Sequence, residues 1–185
     1  MAMTALLIQK IFSPNCENSS NRSPMSASEL AHQNGVCQEE KTAYSHKSGG
    51  PGPVADDEEL ARVILSAQIT DGKLQSSFMP LDHLRDGWSF TRLYYAREDN
   101  VIEHGKRLAS GQGVIGELCG YAVIQTGNFR ALRDRQNRQA FCILDDETDD
   151  APSHAIAKNS ADQRKNELRG LRKKIFDNLR IIYIT

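Results

Sequence analysis

His154 is the residue in this sequence whose surroundings best suit proton transfer. It follows Pro152 and a burst of five acids in the six positions from Asp145 to Asp150. A carboxylate within reach raises an imidazole's pKa and fixes its tautomer, which suits a general acid or base near neutral pH. The structural alternative is a histidine that caps a turn by bonding to backbone. His104 is the second candidate, beside Glu103 and Lys106 in a polar stretch, with plain surface placement as its alternative; His83 ranks behind both. Two arginines complete the set. Arg92 alternates with large aromatics, and Arg130 opens a cluster with Arg133, Arg135 and Arg138. Arginine forks clamp phosphate oxygens well, so Arg92 and Arg130 are candidate ligand-binding residues, with His154 and His104 as candidate catalytic ones. The alternative for Arg92 is a surface cation packed on a ring.

Other chemistries find less support. Two histidines with Asp145 or Asp146 would suit a divalent metal, but no HxH or HxxxH spacing accompanies them. No metal and no cofactor are expected. Gly111-Gln112-Gly113-Val114-Ile115-Gly116 has the spacing of a dinucleotide loop. No strand clearly precedes it and no acidic ribose partner follows, so the motif lacks its context.

The elements that must position these residues follow from pattern. Acidic residues Asp56 to Glu59 precede Leu60, Val63, Ile64 and Ala67, spaced as one helical face, although the β-branched content also fits an extended run from Arg62 to Ile69. Trp88 to Tyr95 alternates as a strand, with Trp88, Phe90, Arg92 and Tyr94 on one face. Ala96 to Ser110 reads as a polar helix carrying His104. Tyr121 to Thr126 and Phe141 to Leu144 are apolar enough for central strands, and Ser153 to Ala157 is a third. Asp162 to Leu179 is a helix with Leu168, Leu171, Ile175 and Leu179 on one face. Ile181 to Thr185 is an edge strand or a frayed end. Asp71-Gly72 and Asp86-Gly87 are turns.

This order predicts an α+β domain over residues 56–185, with a sheet of about four to five strands packed by two to three helices. Residues 1–55 are expected to be a disordered tail, because 13–55 are rich in Ser, Asn, Gly, Pro and charge. Met1, Met3 and Met25 are all possible starts. His32 and His46 in this tail are expected to be solvated. The chain has 185 residues, a net charge of −1 and 25% charged residues, so it has no global field for nucleic acid or membrane. Local charge differs. From Asp162 to Arg180 seven basic residues face three acidic ones, which allows a nucleic-acid partner on the C-terminal helix. No apolar run is long enough to cross a membrane. The four cysteines lack CxxC spacing and are expected to be reduced thiols of a cytoplasmic protein.

Several segments resemble a group of small uncharacterised bacterial proteins. These are the turn Asp71-Gly72-Lys73-Leu74, the Ser76-Ser77-x-like run ending in Phe78, the strand with Trp88, Ser89 and Arg92, and the closing Pro152-x-His154-Ala155-Ile156. The resemblance spans Asp71 to Ile156. It implies a bacterial cytosolic origin and importance for Arg92 and His154, and it implies no reaction. The denser acidic stretch and the long N-terminal extension depart from that group.

No complete catalytic constellation assembles from sequence alone. The leading expectation is therefore a non-enzymatic accessory or interaction protein of the bacterial cytoplasm, binding a protein partner. The alternative is a small enzyme or binding module for a phosphate-bearing ligand, nucleotide or RNA, using His154 with Arg92 and Arg130. The two predict different geometry, since the second requires these side chains to share a pocket.

Overall fold

A computed structural model of the protein describes residues 32–33, 36–37, 40, 52–83, 87–147, 151, 153–160 and 163–184. Met25, Cys16, His46, Asp86, Pro152 and Asp162 lie outside the described residues. The strands are β1 (His32–Gln33), β2 (Val36–Cys37), β3 (Glu59–Leu65), β4 (Ile69–Thr70), β5 (Lys73–Leu74), β6 (Trp88–Arg92), β7 (Leu118–Gln125), β8 (Phe141–Asp145), β9 (His154–Asn159) and β10 (Arg180–Tyr183). Three α-helices are described along their whole length, α1 (Glu98–Ala109), α2 (Thr126–Arg130) and α3 (Lys165–Phe176). Six strands form one antiparallel sheet in the order β10-β7-β3-β6-β9-β8. The α+β class is as expected, but four to five strands was an undercount: the main sheet alone has one more, and β1-β2 and β4-β5 form two further two-stranded ribbons.

The extra strand is β3, where the spacing had favoured a helix. Leu60 and Ile64 enter the main core, while Ala61 and Val63 enter a second cluster on the opposite face of the sheet. A strand covered on both faces is apolar at nearly every position, so a helical subset of positions can be picked out of it. Val63 and Ile64 are β-branched and fit the pleated surface better than a helix. Central placement between β6 and β7 settles the competition.

One face of the sheet carries the larger core. Trp88 and Phe90 of β6, Phe141 and Ile143 of β8, and Ala155 and Ala157 of β9 meet Leu168, Leu171 and Ile175 of α3. Phe129 of α2 packs edge-on against Phe90 and Phe141. On the other face α1 covers β3 and β7, burying Val101 against Val63, Tyr121 and Val123. Gly105 makes this close approach possible. A Cβ there would lie 2.6 Å from Leu118 Cδ1 and 3.0 Å from Val63 Cγ1. Its neighbour His104 is thereby held near the sheet. Among the described residues no helix covers the β6–β9 half of this face.

The expectation of reduced cysteines is overturned for two of them. Cys37 and Cys142 form a disulfide across 105 positions of sequence, and Cys119 is free. Cys37 lies within the segment expected to be disordered, and so does Glu40. The Glu40 carboxylate accepts from Arg130 Nε and Gln139 Nε2 at 2.6 Å each, and from the backbone N–H of Ile143 at 2.7 Å. Ile143 is on the outermost strand of the sheet, so Glu40 covers an edge donor that a short strand would otherwise expose. Val54 is also in the core. These residues of the 1–55 region are bonded to the domain. Reducing the disulfide is expected to lower folding stability by about 2–4 kcal/mol, because it frees a long loop in the unfolded chain. Urea unfolding with and without a thiol reductant measures this, and coincident midpoints would refute it. No helix among the described residues is long and apolar enough to cross a membrane.

Candidate functional site

The uncovered half of the sheet forms the floor of a groove of about 820 Å³ beside α1. Ser89 and Thr91 of β6 contribute to its floor, with Ser153 and His154 on the far wall. Asn100, His104 and Arg107 of α1 line the near wall, spaced four and three apart on one helical stripe.

His154 reaches this groove because β9 pairs with β6, placing His154 opposite Thr91. Both residues point to the α1 face, away from the main core that holds Ala155. The turn from β8 to β9 then brings Asp146 onto the imidazole. Asp146 N donates to His154 O at 3.1 Å, and His154 Nδ1 lies 2.9 Å from Asp146 Oδ2 and 3.2 Å from Asp146 O. With Nδ1 engaged by these oxygens, Nε2 is the ring nitrogen left for exchange with a ligand. Both side chains keep some solvent access, 22% for His154 and 32% for Asp146.

His104 faces the same groove from α1. Its imidazole is held below the ordinary histidine value, first by water lost against the groove wall, then by the charges of Arg107 and His154. The two candidate catalytic histidines therefore line one groove.

The two candidate arginines do not join them. Arg92 is fully buried at the end of β6, on the main-core face. Its Nε and Nη2 fork onto Glu58 at 2.8 and 2.7 Å, Nη1 donates to Gly52 O at 2.7 Å, and Asp145 Oδ1 lies 3.3 Å from Nη1. Its guanidinium also stacks 4.7 Å from the centre of the Tyr95 ring, so the expected cation–ring contact is present, but buried rather than at the surface. Burial works against its charge, yet Glu58 and Asp145 outweigh this and hold the group above its ordinary pKa. Arg130 is the last residue of α2, bound to Glu40, to Asp56 at 2.6 Å and to Val54 O at 2.6 Å. Burial opposes its charge as well, and Asp56 with Glu40 more than restores it. Two more of that cluster are likewise satisfied nearby, Arg138 by Asp134 at 2.8 Å and Arg133 by the Arg130 carbonyl, while Arg135 is exposed with Glu167 at 3.9 Å.

The cations that do line the groove are Arg62 and Arg107. Arg62 is spent on the carbonyls of Phe78 and Ser89, at 3.0 and 2.8 Å, and burial lowers its pKa to about 10. Arg107 is exposed, and its guanidinium has no hydrogen bond or ion pair among the described residues. Sequence reasoning passed over Arg107 and did not single out Asp146 from its acidic neighbours. The spacing of Asn100, His104 and Arg107 was the available signal, a polar stripe on a helix whose opposite face carries Val101 and Gly105.

A second hollow adjoins the first, and Tyr95 and Ala96 line both. Tyr94 is 77% and Tyr95 47% exposed, with their rings 4.8 Å apart edge to face. Tyr94 had been expected to share a strand face with Trp88, Phe90 and Arg92, but β6 ends at Arg92 and Tyr94 is exposed in the turn that follows. The Tyr121 hydroxyl donates to Glu98 Oε1 at 2.6 Å, and burial followed by this carboxylate pushes its pKa up to about 12. Comparison with protein-family models, curated proteins and solved structures finds no match to this chain.

Proposed function

We propose that the protein is a small enzyme performing acid–base chemistry on a phosphate-bearing ligand held in the groove between α1 and the sheet. The observation that carries this reading is the convergence of His104 and His154 on one groove, with Asp146 orienting the second imidazole. Two imidazoles facing one ligand can take a proton at one oxygen and supply one at another in the same turnover. Arg107 beside His104 is the available phosphate partner, in place of Arg92 and Arg130.

The reading of an accessory protein that binds a protein partner rested on the lack of an assembled constellation. The groove supports the enzymatic alternative on that point, and we rank the accessory role second. The bacterial cytoplasmic setting belongs to the same proposal in modified form. A Cys37–Cys142 bond fits an oxidising compartment, or a bond made and broken under redox control within a reducing one.

The test is turnover by the purified full-length protein on nucleoside phosphates and activated phosphodiesters. The expected result is hydrolysis or transfer that His104→Ala and His154→Ala both depress while circular dichroism stays unchanged. Turnover untouched by either substitution would remove the histidines from the mechanism.

A further inference from the structure

The two hollows meet at Tyr95, so the acid–base groove continues into a pair of exposed tyrosines. Tyr95 is unusual for a half-exposed aromatic. The Arg92 guanidinium supports one side of its ring at 4.7 Å, and that arginine is itself fixed by Glu58 and Asp145. A ring held this way is a firm platform rather than a mobile side chain. Arg97 and Arg107 stand ten residues apart on either end of the groove-lining helix, roughly 15 Å along its axis. Neither guanidinium has a hydrogen bond or ion pair among the described residues. Of the acids nearby, Glu59 is taken by Arg180 at 2.8 Å, Glu98 by the Tyr121 hydroxyl and Asp146 by His154 at 2.9 Å, leaving Glu103 beside His104 and Asp99 in the first turn of α1.

We propose that the ligand is single-stranded RNA, with bases stacked on Tyr94 and Tyr95 and the sugar–phosphate chain laid along α1 between Arg97 and Arg107. This rests on the acid–base reading above and names its substrate class. Aromatic faces next to a cationic track are how proteins hold single strands, because every base offers a π-face and every nucleotide a phosphate. A duplex hides its bases and does not fit a platform of this kind. RNA also supplies the nucleophile. The 2′-oxygen attacks the adjacent phosphorus and gives its proton to one imidazole. The bond from phosphorus to the 5′-oxygen breaks, and that oxygen takes a proton from the other imidazole. The products are a 2′,3′-cyclic phosphate and a 5′-hydroxyl, with no change of oxidation state and no further reactant. His104, whose imidazole is held below the ordinary histidine value, takes the proton, and His154, oriented through Nδ1 by Asp146, gives one.

The experiment uses the full-length protein and a labelled single-stranded RNA of mixed sequence, with the same sequence as duplex RNA and as single-stranded DNA. Anisotropy reads binding, and gel analysis reads cleavage. The expected result is preference for the single strand over the duplex, cleavage of RNA but not DNA, and a terminal cyclic phosphate. Tyr94→Ala and Tyr95→Leu are each expected to weaken binding about tenfold, with Tyr95→Phe retaining it. Arg97→Ala with Arg107→Ala is expected to flatten the salt dependence by roughly 1.4 in log–log slope. His104→Ala and His154→Ala should still bind but not cleave. Equal affinity for duplex and single strand, or binding indifferent to both tyrosines, overturns the proposal. Histidine-dependent turnover of small phosphodiesters would then leave the broader enzymatic reading standing. Tyrosine-dependent RNA binding without any histidine-dependent turnover would instead sink the enzymatic reading and the cleavage step with it.

Discussion

Arg92→Ala is expected to destabilise the fold by about 3–5 kcal/mol, the cost of removing one partner from a buried ion pair. The side chain is 0% exposed, and the carboxylates it holds, Glu58 and Asp145, are 7% and 0% exposed. Alanine would leave these two acids without their buried cation and open a cavity the size of a guanidinium and its stem. The damage extends along the backbone. Glu58 Oε1 also accepts the Ala55 N–H at 2.8 Å, and the Glu58 carbonyl accepts from Thr126 Oγ1 at 3.0 Å. Arg92 thus links the entry to β3, the end of β6, the end of β8 and the start of α2. Lysine is not a conservative replacement, since it has no fork to match both Glu58 oxygens. Arg92→Lys should recover less than half of the lost stability. Urea unfolding of the three proteins gives the comparison, and a loss below about 1 kcal/mol for Arg92→Ala would mean that the cluster contributes little beyond its own desolvation.

How much of this was legible in the sequence depended on whether an element had one solvated face. In α3 the apolar Leu168, Leu171 and Ile175 repeat against an exposed basic face, so its period was readable. In β6 the alternation of Trp88, Phe90 and Arg92 with Ser89 and Thr91 was readable for the same reason. Strand β3 has no solvated face along most of its length, and its period was lost. Chain-distant pairings left no local trace. Glu58 is 34 positions from Arg92, and Cys37 is 105 from Cys142, so neither bond has a spacing that marks it. His104 and His154 could be named singly, from neighbouring charge. Their meeting depends on α1 crossing the sheet above β3 and on Gly105 letting it sit close, which is a property of packing.

The larger kinetic effect is expected at that meeting point. Each of His104→Ala and His154→Ala should lower kcat/KM by about 10²–10⁴-fold on any substrate the groove turns over, the usual worth of a positioned acid or base. The double variant should be scarcely worse than either single one, because two groups that act in one step fail as a unit. The pH profile separates their roles. Burial first, then the charges of Arg107 and His154, hold His104 below the ordinary 6.5, and Glu103 and Asp146 are the acids that line the same groove. A base must be neutral to accept a proton, so a lowered pKa keeps His104 working into mildly acidic solution. The acid limb of kcat/KM should therefore fall below pH 6.5. Arg107→Gln removes a cation that disfavours the imidazolium, so it should move this limb upward in pH. Asp146→Asn should leave the limb in place or lower it while reducing kcat through loss of His154 orientation. An acid limb above pH 6.5 in the unmodified protein, or one that ignores Arg107→Gln, would take His104 out of the role of base.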